Sequence, residues 1–235
     1  MLTLIKAFIK EECPAFIPLI GKIRRLRYKL TPMKMKFSRI YLKRGFGGEE
    51  SVSGPGSDLG QTLVIRRELP SLLKEIGARS LLDAACGDFN WMKAMELNID
   101  RYVGVDIVEE LISQNNRLYR DKKREFMAMN IATDPLPAVD VIMCRDCLIH
   151  LSFWKIFSVI KNFKTSGSKY LLVSTYTKVF HNKDIVTGQW RPLNLQMPPF
   201  NFPCPRYIMN ENCRENEGKY SDKSLGLWPL GDINV

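Results

Sequence analysis

The chain has 235 residues, a hydrophobic fraction of 45% and 6 cysteines, with a mean hydropathy of −0.16. That length can bury a core without disulfide staples, and the composition excludes a mostly disordered chain and a polytopic membrane protein. The net charge of +10 is confined to one end: residues 1–45 hold 12 Lys/Arg against 2 Asp/Glu, and the remainder is balanced at 23 of each. A nucleic-acid footprint spread over the body is therefore not expected.

Residues 1–45 read as a basic N-terminal arm. Lys6, Lys10, Glu11 and Glu12 break its first apolar run, so no secretory signal is expected. Leu19, Ile23, Leu26 and Leu30 recur at helical spacing, with Lys22, Arg24, Arg25, Arg27 and Lys29 between them. Such a basic amphipathic helix suits an anionic membrane surface, its own domain or a partner protein. Residues 45–60 are rich in Gly and Ser, either as a linker or as a lid over a ligand. A helical pattern follows from Leu59 to Ile76.

From residue 79 the pattern alternates. Strands are predicted over 79–84, 102–106, 125–130, 139–144 and 169–175, with helices over 89–96, 108–124 and 151–163 between them. This predicts an α/β fold: a doubly wound, Rossmann-like parallel sheet with helices on both faces. The core spans 58–175 within a domain of 46–235. Residues 176–235 hold 6 of the 13 prolines and read as an ordered, loop-rich cap. The short apolar stretches 206–209 and 225–230 are candidate edge strands. Cys144 and Cys147 form one Cys-x-x-Cys, but no second pair supports a zinc site, so free thiols and no metal are expected.

Doubly wound sheets bind ligands at the carboxyl ends of their strands. The first strand runs out through Asp83, Ala84, Ala85, Cys86, Gly87 and Asp88, and the second ends at Asp106. Asp83 and Asp106 lie 23 residues apart, near the ~20 expected between a nucleotide-binding turn and its ribose-binding acid. A carboxylate can accept hydrogen bonds from both vicinal hydroxyls of a ribose. Gly87 admits close backbone approach.

These pieces, together with residues 130–137 and 140–151, resemble the class I S-adenosylmethionine-dependent methyltransferases. The resemblance is strong over 79–175. One departure is Phe89, at a position that is small in the family. A ring there is expected to obstruct a pyrophosphate and to tolerate a sulfonium cofactor. The resemblance implies S-adenosyl-L-methionine as cofactor. It implies that Asp83 and Gly87 line its methionine end, that Asp106 holds its ribose and that Asn130 touches its adenine, with Ala85, Ile107, Ile131 and Arg145 also among the cofactor-binding residues. Arg145 and Asp146 would stand where cofactor meets acceptor.

His150, six residues past Cys144, is the leading general-base candidate because its ordinary pKa lies near neutrality. Asp146 is the second candidate, or a metal ligand if a divalent ion binds the acceptor. His181, Arg191 and Asn194 in the cap are candidate substrate contacts, or else loop tethers. The expectation is O-methylation of a sugar, a glycan or another small polar acceptor in the cytoplasm, with the arm peripheral to an anionic membrane. An RNA methyltransferase using the arm, or a non-catalytic cofactor-binding partner protein, is the alternative.

Overall fold

The computed structural model describes Tyr28 and residues 30–234. Most of the predicted amphipathic arm helix lies outside the described residues. Of its apolar positions only Leu30 is described, and it is exposed. Helix α1 (Met33–Leu42) follows. Its Met33 and Phe37, one turn apart, pack on the core of the domain. Among the described residues no helix is long and apolar enough to cross a membrane.

Helix α2 (Leu63–Glu75) buries Ile65, Leu69, Leu72 and Leu73, one face of a 3.6-residue period. Then come β1 (Ser80–Ala84), β2 (Arg101–Asp106), α3 (Glu109–Tyr119), β3 (Arg124–Ala128), β4 (Val141–Cys144), α4 (Phe153–Thr165), β5 (Tyr170–Tyr176), β6 (Tyr207–Asn210) and β7 (Lys223–Pro229). The seven strands form one sheet in the order β3-β2-β1-β4-β5-β7-β6. β1 to β5 pair in parallel, while β7 is antiparallel to both β5 and β6. Alternate residues of each strand face opposite layers. Leu82, Val103, Ile142 and Val173 join Ile156, Val159, Ile160 and Phe163 of α4 on one side. Leu81, Tyr102, Val141 and Leu172 join α2 on the other.

Two expectations need correction. The stretch 89–96 is not a helix but a single 3-10 turn, Met92–Ala94, because Phe89 sits at φ +58 and turns the chain too sharply. The apolar stretch at 225–230 is not at an edge. β7 is inserted between β5 and β6, pairs with seven consecutive residues of β5, and buries Leu225, Leu227 and Trp228. An inserted strand covered on both faces reads as an apolar run, as this one does. The sequence order reverses between β1 and β4, so the crevice at their carboxyl ends is the expected binding place.

Candidate active site

A cavity of about 770 Å³ opens at that switch point. Asp83, Ala85 and Gly87 line it from the end of β1, and Asp106 and Ile107 from the end of β2. Met129 and Ile131 follow β3, Arg145 and Asp146 follow β4, and Tyr176 ends β5. Residues 52–57 cover it, and Met33, Phe37 and Tyr41 of α1 supply an apolar wall. The described part of the basic arm thus contributes to the cavity.

The turn after β1 is built around Gly87, at φ +56. A Cβ there would lie 2.2 Å from Ser53 Oγ, so only glycine fits beneath the covering loop. Gly87 N–H donates to Asp106 Oδ2 at 3.2 Å, and Val108 N–H donates to Oδ1 at 3.0 Å. Each Asp106 oxygen has a second lone pair for a ligand. Asn115 on α3, unremarked in the sequence, donates to the Gly87 carbonyl at 2.8 Å and fixes the turn from behind. The Phe89 ring does not reach the cavity. It packs against Tyr102, Tyr119 and Phe126 with centroids 5.2 Å away, so the expected obstruction does not arise.

Asp88 holds the cover. Its carboxylate accepts from Ser51 Oγ and Val52 N–H, each at 2.9 Å. Arg145 Nη2 donates to the Gly56 carbonyl at 2.7 Å from the opposite side. Residues 51–57 are thereby a fastened lid rather than a linker.

Beneath the lid lies a balanced cluster of four charges. Arg145 binds Glu211 at 2.8 Å, and Lys223 binds Asp146 at 2.5 Å and Glu211 at 3.3 Å. Arg145, Glu211 and Lys223 are almost wholly buried. Burial alone would raise the Asp146 carboxyl, but Lys223 and Arg145 outweigh it and hold the group at about 2. Asp146 is therefore a committed counter-ion, and its expected role as base or metal ligand is not what the geometry supports. Among the described residues no His/Cys/Asp/Glu group could hold a metal. Cys86, Cys144, Cys147, Cys204 and Cys213 are free thiols, and burial pushes the Cys144 thiol up.

Asp83 is 3% exposed and accepts from Tyr102 Oη at 2.7 Å. Burial pushes its carboxyl up to about 7, against the Tyr102 hydrogen bond and with help from Asp106. Asp106 is raised by burial, against its backbone hydrogen bonds.

His150 lies in a 3-10 turn (Leu148–His150) ahead of α4. Its Nδ1 is 3.0 Å from the Gln189 carbonyl. A carbonyl only accepts, so the contact assigns the proton to Nδ1 and leaves Nε2 as the lone-pair nitrogen. Burial lowers the imidazole pKa, with Arg191 and Lys223 adding to that effect and the Gln189 contact and Asp146 opposing it. A neutral imidazole with an open acceptor nitrogen can take a proton.

The remaining sequence candidates lie elsewhere. Asn130 does not line the cavity: its Oδ1 accepts from Ala132 N–H at 3.1 Å, closing a turn with Asp134. His181 is exposed and outside the cavity. Arg191 and Asn194 are buried away from it and tether loops. Arg191 donates to the Leu148, Leu151 and Lys183 carbonyls, and Asn194 donates to the Val179 carbonyl at 2.9 Å.

Sequence reasoning missed the wall opposite the nucleotide turn. Tyr176, Trp190 and Tyr220 line it edge-on to one another, with centroids 5.0–6.4 Å apart. Lys223 was missed as well. The three rings come from distant segments, and no local signal joins them.

Residues 82–171 match a family described as a methyltransferase domain. No curated protein sequence matches the chain. Among solved structures, the methyltransferase domain of bacterial CtHen1 is 18% identical with a TM-score of 0.43, over 50% of this chain and 66% of that one. Magnesium protoporphyrin IX methyltransferase (ChlM) from Synechocystis PCC 6803, with bound S-adenosylmethionine, is 16% identical with a TM-score of 0.45, over 66% and 81%. The N-methyltransferase NodS from Bradyrhizobium japonicum WM9, with S-adenosyl-L-homocysteine, is 16% identical with a TM-score of 0.39, over 47% and 61%. Likeness at this level says nothing of the acceptor. Over residues 82–171, therefore, the chain is similar to the methyltransferase-domain family, in keeping with the class I S-adenosylmethionine-dependent resemblance of its sequence.

Proposed function

We propose that the cavity binds S-adenosyl-L-methionine and that the chain methylates a hydroxyl of a sugar, a glycan or another small polar acceptor. The observation that carries this reading is one cavity with two unlike ends. One end has the Gly87 turn, the Asp106 carboxylate and the apolar side chains of Ile107, Met129 and Ile131. It suits a ribose with an apolar-sided base. The cations that line the cavity, Arg145 and Lys223, are both engaged in ion pairs, which disfavours a pyrophosphate cofactor and a phosphorylated acceptor. The other end has His150 and the Tyr176, Trp190 and Tyr220 rings. Edge-on aromatic rings give apolar faces on which a pyranose can lie, while its hydroxyls meet the polar groups around it.

When bound, the cofactor supplies a sulfonium-activated methyl group for in-line displacement. The chain's own work is placement and proton removal. The Asp88 and Arg145 fastenings close the lid against water. His150 would take the acceptor hydroxyl proton on Nε2, readying that oxygen to take the methyl group as its carbon–sulfur bond breaks and a neutral thioether leaves. The ion-paired Asp146 and Lys223 flank the acceptor end without a net charge.

The test uses labelled S-adenosylmethionine with a panel of glycosides, lipids, amines, peptides and RNA. Transfer to hydroxylated acceptors is expected, and transfer only to an amine, a protein or RNA would overturn the hydroxyl reading. His150→Ala should lower turnover ~10²–10⁴-fold and leave S-adenosylhomocysteine affinity unchanged. Near-normal turnover would return His150 to a structural role.

A further inference from the structure

We infer that Arg191 is a positioning residue for His150. Its guanidinium clamps the peptide carbonyls on both sides of the histidine, so that the imidazole keeps its Nδ1–H tautomer and presents Nε2. The inference rests on the reading of His150 as the base.

The hydrogen bonds around the turn carry it. Four successive carbonyls, those of Leu148, Ile149, His150 and Leu151, all accept from one short facing segment. Arg191 Nη1 donates to Leu148 at 3.0 Å and Nη2 to Leu151 at 2.8 Å, while Arg191 N–H donates to Ile149 at 3.2 Å and Gly188 N–H to His150 at 2.8 Å. The same segment returns the Gln189 carbonyl to His150 Nδ1 at 3.0 Å. A 3-10 turn alone leaves most of its carbonyls unpaired, so these contacts decide where the turn stands. Two of the five come from the planar fork of one side chain, which fixes direction as well as distance.

A guanidinium that merely stapled a loop would be expected at the surface or against a carboxylate. Arg191 is 6% exposed, with its ring partner Phe153 at 5.6 Å. Within the described residues it makes no ion pair. Burial lowers its own pKa to about 10, so it remains a cation at neutral pH. The charged groups acting on His150 are Asp146, Arg191 and Lys223, and Phe46 lies against its ring with centroids 4.9 Å apart. Asp146 favours the imidazolium, and the two cations favour the neutral form. Arg191 thus acts twice on His150, through the turn and through its charge. The two effects can be separated, because Arg191→Lys keeps the cation and loses the fork, while Arg191→Gln loses both.

The chain contains only 2 histidines. Nitrogen-15 histidine NMR of the full chain can therefore follow His150 directly, with His181→Gln to assign the signals. The wild type should show the Nδ1–H tautomer at His150 and titrate below 6.5. In Arg191→Lys the titration should stay low while the tautomer becomes mixed. In Arg191→Gln the tautomer should be mixed and the titration should rise toward 6.5. With an acceptor in hand, kcat should fall at least ~10-fold in both, with S-adenosylhomocysteine affinity by calorimetry within twofold of wild type. An unchanged tautomer in folded Arg191→Lys would overturn the inference, and that variant carries the test if Arg191→Gln does not fold. Normal turnover in His150→Ala would instead overturn the base reading and leave the tautomer result standing.

Discussion

Asp83 offers a quantitative test of the site's electrostatics. Its carboxyl is 3% exposed, and burial pushes it up to about 7 from an ordinary 3.8. The folded chain therefore holds a proton that the unfolded chain has released. Asp83 destabilises the fold progressively as pH rises from about 4 to about 7, and the cost is level above that. The full cost is about 4 kcal/mol. Asp83→Asn removes the titration and keeps an oxygen for the Tyr102 hydroxyl, 2.7 Å away. The variant should match the wild type in thermal stability near pH 4. By pH 8 it should melt about 8–16 °C higher. The assay is parallel calorimetric melting of both proteins across that range, so that other titrating groups cancel in the difference. A difference that does not change with pH, or a variant less stable at pH 8, would refute the assignment of a carboxyl whose burial outweighs its hydrogen bond from Tyr102. The gain should come with weaker cofactor binding if Asp83 faces the methionine ammonium.

Other predictions follow from the lid and the ion cluster. Asp88→Ala removes the acceptor for Ser51 and Val52. Amides of residues 51–57 should lose hydrogen-exchange protection while β1 amides keep theirs, and S-adenosylhomocysteine should bind about 10-fold more weakly, which is one lost charge-assisted hydrogen bond. Unchanged lid exchange would show that Asp88 is not the latch. Lys223→Met leaves Asp146 and Glu211 with one buried cation between them, at a cost of about 3–5 kcal/mol. Its melting temperature should fall by about 6–20 °C, and adding Asp146→Asn should recover part of the loss. A single variant as stable as the wild type would mean that the cluster is hydrated or rearranges.

The central sheet was legible because its strands are short apolar runs between helices of clear period. β1 to β5 all fall within two residues of their expected bounds. The helix expected over 89–96 failed because Trp91 and Met92 are buried like a helix face, while the left-handed backbone of Phe89 is invisible in composition. β7 was legible as an apolar stretch but not as an inserted strand, since its partner β5 lies some fifty residues earlier. The spacing of Met33, Phe37 and Tyr41 is one turn per step, and it could have placed α1 on the domain had the basic charge around it not dominated. Asn130 stands at the end of β3 but turns its amide to its own loop. The pairing of Arg145 with Glu211, and of Asp146 with Lys223, joins residues 66 and 77 positions apart, which no local pattern can reveal.

The most direct test of the account is titration of the full chain with S-adenosylhomocysteine by calorimetry, beside Asp106→Ala. On the proposed reading Asp106 accepts from the ribose hydroxyls, and removing two charge-assisted hydrogen bonds would cost about 3 kcal/mol. One saturable site per chain is predicted, weakened about 100-fold in the variant. No binding to the wild type, or equal affinity in both proteins, would contradict the claim that this cavity is the methyl-donor site.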